Sequence, residues 1–187
     1  QGPDSRSKWL DRFLHHPDYR VRGAAWVFLA QESQLEPALS REYQLEDNIR
    51  QLIHEATWNL PEEQRDYLMN TAIKAIGYGH LEPLYPVIEE KLAQGDPDLL
   101  ASLIQTVGLS QQSKFIPYIL PLMVQRKWRE NVLQSLDAFG NIPVSFINQI
   151  ISYFGAVYKS GYNAEMTTKK KKTNTKQKWQ QKERKMQ

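Results

Sequence analysis

The chain has 187 residues, 41% of them hydrophobic and none of them cysteine, so one well-buried core is within reach while a disulfide framework and a thiolate metal site are excluded. Its net charge of +3 conceals an asymmetry: residues 164–187 carry nine Lys or Arg against two Glu, whereas residues 1–163 carry fifteen basic groups against nineteen acidic ones. The basic balance therefore belongs to a tail, and any argument for a polyanionic partner concerns that tail and not the mildly acidic body.

Gln1-Gly2-Pro3 reads as the scar of a removed purification tag, which puts the folded domain at 4–163 and the basic tail at 164–187. The first helical segment ends at Pro17-Asp18, because proline cannot continue the hydrogen-bond ladder and Asp18 is suited to cap the helix that follows. In that next helix Val21, Ala24, Ala25, Phe28 and Leu29 fall at i, i+3, i+4, i+7 and i+8, one apolar stripe. A looser connection is expected over 33–44. Helical stripes return at Leu68, Ala72, Ala75 and Ile76, at Leu99, Leu100, Leu103, Ile104 and Val107, and at Val132, Leu133, Leu136 and Phe139. Breakers at 59–61, 77–79, 95–98, Gly108 and Gly140-Asn141 divide the body into about eight helices, and no segment alternates with period two. Residues 145–162 read as the first helix of a further unit, with Phe146, Ile150, Tyr153, Phe154 and Val157 on one side. Residues 167–187 beyond have only Trp179 and Met186 as large apolar residues and cannot supply a matching core helix.

The segments keep a register. Ala30, Gly77, Gly108 and Gly140 align together with Leu29, Ile76, Val107 and Phe139 one residue earlier, and the last three marks are 31 and 32 residues apart. Nine residues after Gly77 and Gly108 comes a proline in an apolar setting, Pro86 in LYPVI and Pro117 in FIPYI. Periods of this size mean stacked helical hairpins, each burying its apolar face against the next.

The stretch WLDRFLHHPDYRVRGAAWVFLA resembles a HEAT-type repeat: an apolar helix, a Pro-Asp turn, then Val-Arg, spaced alanines and a terminal Leu-Ala. The resemblance covers about residues 5–158. It implies an all-α fold, a right-handed superhelix of about four degenerate HEAT-like hairpins followed by the basic tail, with Asp18 and Arg22 contributing to a polar ladder between repeats.

Chemistry-bearing motifs are sparse. His54-Glu55-Ala56-Thr57 begins like a zinc-protease helix, but Trp58 stands where the second histidine ligand belongs. The adjacent rings of His15 and His16 would point about 100° apart on a helix and suit its cation-favouring C-terminus. Glu62-Glu63 and Asp96/Asp98 have the placement of capping groups. No phosphate loop or nucleophile elbow occurs, so neither catalytic residues, nor a metal, nor a cofactor are expected.

Trp9, Trp26, Trp58 and Trp128 suit core packing. Tyr19, Arg22 and Trp26, at i, i+3 and i+7, would form a binding ridge if exposed, although register aligns Trp26 with the core positions Ile73 and Ile104. Tyr153, Phe154 and Tyr158 mark an unfinished C-terminal end. In the tail, Lys169, Lys170, Lys171 and Lys172 form a cluster suited to phosphates or nuclear import, and Lys176, Lys178, Trp179, Lys182, Arg184 and Lys185 belong to a stretch of good helix formers.

These observations lead to an expectation of a non-catalytic scaffold that binds another protein through its concave face or open C-terminal end. Nucleic-acid binding through the tail is the alternative. A third reading comes by analogy with alkylpurine DNA glycosylases built of HEAT-like repeats, which use a basic groove that this body lacks. No apolar run of membrane-spanning length and no leader is present, so an intracellular setting is expected, cytoplasmic or, in a eukaryote, nuclear.

Overall fold

The computed structural model describes residues 3–140 together with Ser152 and Gly155. Residues 1–140 make one compact unit; in the second, 141–187, the two described residues are both helical. The first unit contains α1 (Pro3–Leu14), α2 (Tyr19–Leu35), α3 (Pro37–Glu42), α4 (Leu45–Glu55), α5 (Glu62–Tyr78), α6 (Tyr85–Gln94), α7 (Leu100–Ser110), α8 (Ile116–Ile119) and α9 (Arg129–Asp137). Short 3₁₀ turns at Glu82–Leu84, Ser113–Phe115 and Leu120–Val124 complete it, and no strand occurs among the described residues. The protein is thus all-helical over its described length.

Local chemistry sets the helix ends. Asp18 Oδ1 accepts the Arg20 N–H at 2.8 Å and caps α2 as its position after Pro17 predicts. Glu62 and Glu63 occupy the first turn of α5, where carboxylates favour the helix dipole. Gly95 ends α6 with φ +67°, and the Asp96 carboxylate and carbonyl hold the turn into α7 by accepting from Asp98 and Leu100.

Packing follows a simple order. Helices α2, α5, α7 and α9 lie each against the next, while α1 packs on α2, α4 on α5 and α6 on α7; α8 joins α9 through the turn Leu120–Val124. Between the two sets sit the fully buried Leu29, Ile49, Leu68, Ile76, Ile88, Leu103, Val107 and Phe115, each worth about 1.5–3 kcal/mol of burial.

Small residues bring successive second helices together. A Cβ on Gly23 would lie 2.9 Å from Thr71 Oγ1, one on Gly77 2.9 Å from Thr106 Oγ1, and one on Gly108 3.0 Å from Ser135 Cα. The seams are also hydrogen-bonded: buried Thr106 donates to the Ile73 carbonyl at 2.9 Å, and Ser102 donates to Asn70 Oδ1 at 2.7 Å.

Part of the chain repeats at 31 residues in backbone as well as sequence. His80 and Gln111 both take positive φ, 47° and 51°, although neither is glycine. Each is followed by a 3₁₀ turn and then a helix with proline in its first turn, Pro86 in α6 and Pro117 in α8. Leu84, Tyr85 and Ile88 are buried, as are their counterparts Phe115, Ile116 and Ile119.

Several expectations need correction. Gly108 does not break a helix but lies inside α7, and Gly77 lies inside α5, which ends one residue later as the 77–79 break predicts; at both glycines the neighbouring helix leaves no room for a side chain. Gly140 differs from them, taking φ +65° after α9. Residues 33–44 are mostly helical, the end of α2 to Leu35 and then α3 over Pro37–Glu42, anchored by buried Leu39. The α2 stripe is only half right: α2 buries Gly23, Ala25, Trp26, Leu29, Ala30 and Ser33, but leaves Ala24 and Phe28 exposed.

Candidate functional site

The second helices of the hairpins bury one side in the core and turn another to solvent, and the composition of that outer side is unusual. Between α2 and α5 runs a groove of about 470 Å³ with Ala24, Phe28 and Gln31 on one bank and Tyr67, Asn70 and Lys74 on the other. A second groove of about 420 Å³ continues across α5, α7 and α9, lined by Lys74, Gln105, Asn131 and Gln134 and by the small residues Ala101, Gly108 and Ala138. Lys74 borders both grooves and, among the described residues, is the only charged one lining either.

The carboxamides on this face divide into two groups. Asn70 is committed to the α5/α7 seam: it donates to the Asp66 carbonyl and accepts from Ser102. Gln105 donates to Tyr78 Oη at 2.9 Å. By contrast Gln31, Asn131 and Gln134 are exposed and make no side-chain hydrogen bond among the described residues, and Lys74 is half-buried with no carboxylate partner there.

The first helices of the hairpins carry the opposite chemistry. Ion pairs dress their outer surfaces: Arg50–Glu46 at 2.7 Å on α4, Lys91–Glu90 at 3.9 Å on α6, and Lys114–Glu89 at 3.5 Å between α6 and the turn before α8. Tyr118 on α8 adds a hydroxyl donated to Glu89. The second helices carry ion pairs too, Arg20–Glu63 at 2.6 Å between α2 and α5 and Arg22–Glu55 at 3.0 Å from α2 to α4, but these lie outside the two grooves.

A third surface is apolar. Trp9, Leu10 and Phe13 of α1 face Val21, Ala24 and Phe28 of α2 around a groove of about 450 Å³. Trp9 is 56% and Phe28 40% exposed.

The residues singled out from sequence are partly brought together. Trp26 is only 4% exposed, so it joins the core and offers nothing to a partner; the ridge with Tyr19 and Arg22 does not form. Tyr19 stacks edge-on against Tyr67 with centroids 5.4 Å apart. Arg22 reaches Glu55 Oε2 at 3.0 Å and ties α2 to the end of α4. Arg20 lies beside them on the surface, its guanidinium held above its ordinary pKa by the hydrogen bond to Tyr19 and then by Glu63. Trp128 is buried, but Trp9 and Trp58 are not; Trp58 meets the His54 ring edge-on at 5.5 Å. Tyr153, Phe154, Tyr158 and every basic residue assigned in the tail lie outside the described residues. The carboxamide face went unread, because Gln31, Gln105, Asn131 and Gln134 look like ordinary solvated positions until the helices are stacked.

Among the described residues no group of three His, Asp or Glu is placed to hold a metal ion, and no helix is long and apolar enough to cross a membrane. The structure therefore defines the class as an all-helical protein whose hairpins pack on their neighbours. Comparison with protein families, with curated proteins and with solved structures finds no match.

Proposed function

We propose that this chain is a non-catalytic interaction module, a HEAT-like right-handed superhelix of four degenerate hairpins that docks another protein on the face formed by α2, α5, α7 and α9. The observation that carries the reading is the scarcity of charge in two adjoining grooves, whose described lining includes one charged residue, Lys74, while the ion pairs lie outside them, on α4, on α6, before α8 and at the start of α2 and α5. Depletion of charge is what distinguishes the centre of a protein interface from ordinary surface. A polyanion would ask for the reverse, several cations neutralising several phosphates, so this face favours a protein over a nucleic acid. The alternation of helices, the Asp18 cap and the 31-residue recurrence of backbone and buried positions support the HEAT-like assignment.

The test is the double variant Gln105→Arg/Gln134→Arg, which places two cations on the grooves without touching the core. A protein that co-purifies with the chain from its native cells should be lost from the variant, whose circular dichroism and Tm should match the parent. Retention of the partner, or the absence of any protein partner, would overturn the reading.

A further inference from the structure

We infer that the partner presents an extended polypeptide segment bearing one carboxylate, its main chain hydrogen-bonded by Gln31, Asn131 and Gln134 and its acid group paired with Lys74. This inference rests on the interaction reading above and commits it to one kind of ligand.

The chemistry of the banks selects the backbone form. A carboxamide offers an acceptor and two donors, which matches a peptide group on both its N–H and its C=O. An extended segment has those groups free along its length. A helix has already used them internally, and would meet a carboxamide surface with side chains alone. The rest of the lining agrees, since Ala24, Ala101, Gly108 and Ala138 are small and let a main chain approach closely. Spacing fits as well: packed helices lie about 8–10 Å apart and an extended chain advances about 3.3 Å per residue. A ligand residue therefore meets a new helix about every third position, and a segment of about nine residues crosses from α2 to α9. Phe28 and Val27 in the first groove and Leu109 in the second give apolar purchase to side chains pointing down between those contacts.

Lys74 supplies the charge preference. It stands where the two grooves meet, half-buried and with no carboxylate partner among the described residues. A lone ammonium in a neutral, amide-lined groove favours one acid group near the middle of the segment, and penalises a base there.

The experiment is selection of random linear 12-residue peptides, displayed on phage, against the full chain, followed by fluorescence anisotropy of the recovered sequences as synthetic peptides. The expected peptides share an Asp or Glu near the centre, bind at least tenfold more weakly to Lys74→Glu, and keep their affinity within about threefold for Lys74→Arg. Replacing the central acid by Lys should restore binding to Lys74→Glu. Recovery of no binder, of peptides without acid preference, or of peptides that are helical when bound would overturn the inference. So would affinity that falls with Trp9→Ala but not with Lys74→Glu, or a single-stranded oligonucleotide that occupies the face through Lys74. If the arginine double variant loses its partner while the peptides fail these criteria, the face remains the docking surface and only the extended acidic ligand is wrong.

Discussion

A methyl group added at Gly108 would sit 3.0 Å from both Cα and Oγ of Ser135 and 3.1 Å from its carbonyl oxygen. Replacing an unconstrained mid-helix glycine by alanine gains about 1 kcal/mol of helix propensity, but overpacking a tight contact costs about 1–3 kcal/mol. The overlap here is with the backbone of α9, which cannot swing aside, so overpacking wins and Gly108→Ala should lower stability by about 1–2 kcal/mol in urea denaturation. A gain in stability would show that the α7/α9 seam is looser than described. Tyr85 makes a second prediction at this scale. Burial, and secondarily the nearby Glu82 carboxylate, raise its phenol above the ordinary value of 10.0, while its ring stacks edge-on against Phe115 at 5.8 Å. The folded state therefore holds the proton more tightly than the unfolded chain, so this contribution is complete below pH 10 and is lost as pH rises through the raised pKa. The stability difference between parent and Tyr85→Phe should be flat to about pH 9.5 and then move in favour of the variant; parallel curves up to pH 11 would contradict the desolvation of the Tyr85 side chain.

Among the elements, legibility tracked the number of neighbours. Helices α5 and α7 have a partner on each side, and their stripes Leu68–Ala72–Ala75–Ile76 and Leu103–Ile104–Val107 are wholly buried. Helix α2 begins the described row, so the same periodicity overcounts: Ala24 and Phe28 satisfy the pattern but line an open groove. Periodicity reports which residues share a side, not whether another helix arrives to cover it. Gly108 was misread for a related reason. Gly in a helical pattern signals a break when judged alone, and only the approach of Thr106 and Ser135 explains its place inside α5 and α7. Helix α3 has six residues, too few for an apolar stripe to register. The left-handed turns at His80 and Gln111 carried no warning at all, since neither is the glycine or asparagine such a turn favours.

At the scale of the molecule the binding face is a property of stacking. Gln105 and Gln134 are 29 residues apart in sequence and ordinary in their own helices, yet the row α5, α7, α9 sets them along one groove. The same row sends the ion pairs of α4, α6 and the turn before α8 to the other set of helices. Composition could not reveal this, because a net count of charges says nothing about which helices carry them. What did survive from sequence to structure is the hairpin logic, in which each helix pair completes its core against the next. The two charge-poor grooves give that logic a functional direction: they are free to be desolvated, and the ion-paired surfaces are best left in water. Site-specific photo-crosslinking tests this most directly, with benzoylphenylalanine placed at Gln105 in the second groove or at Tyr118 on an ion-paired surface, in cells that produce the chain. The account predicts a discrete cross-linked protein from position 105 and none from position 118; equal capture at both positions, or capture at 118 alone, would contradict it.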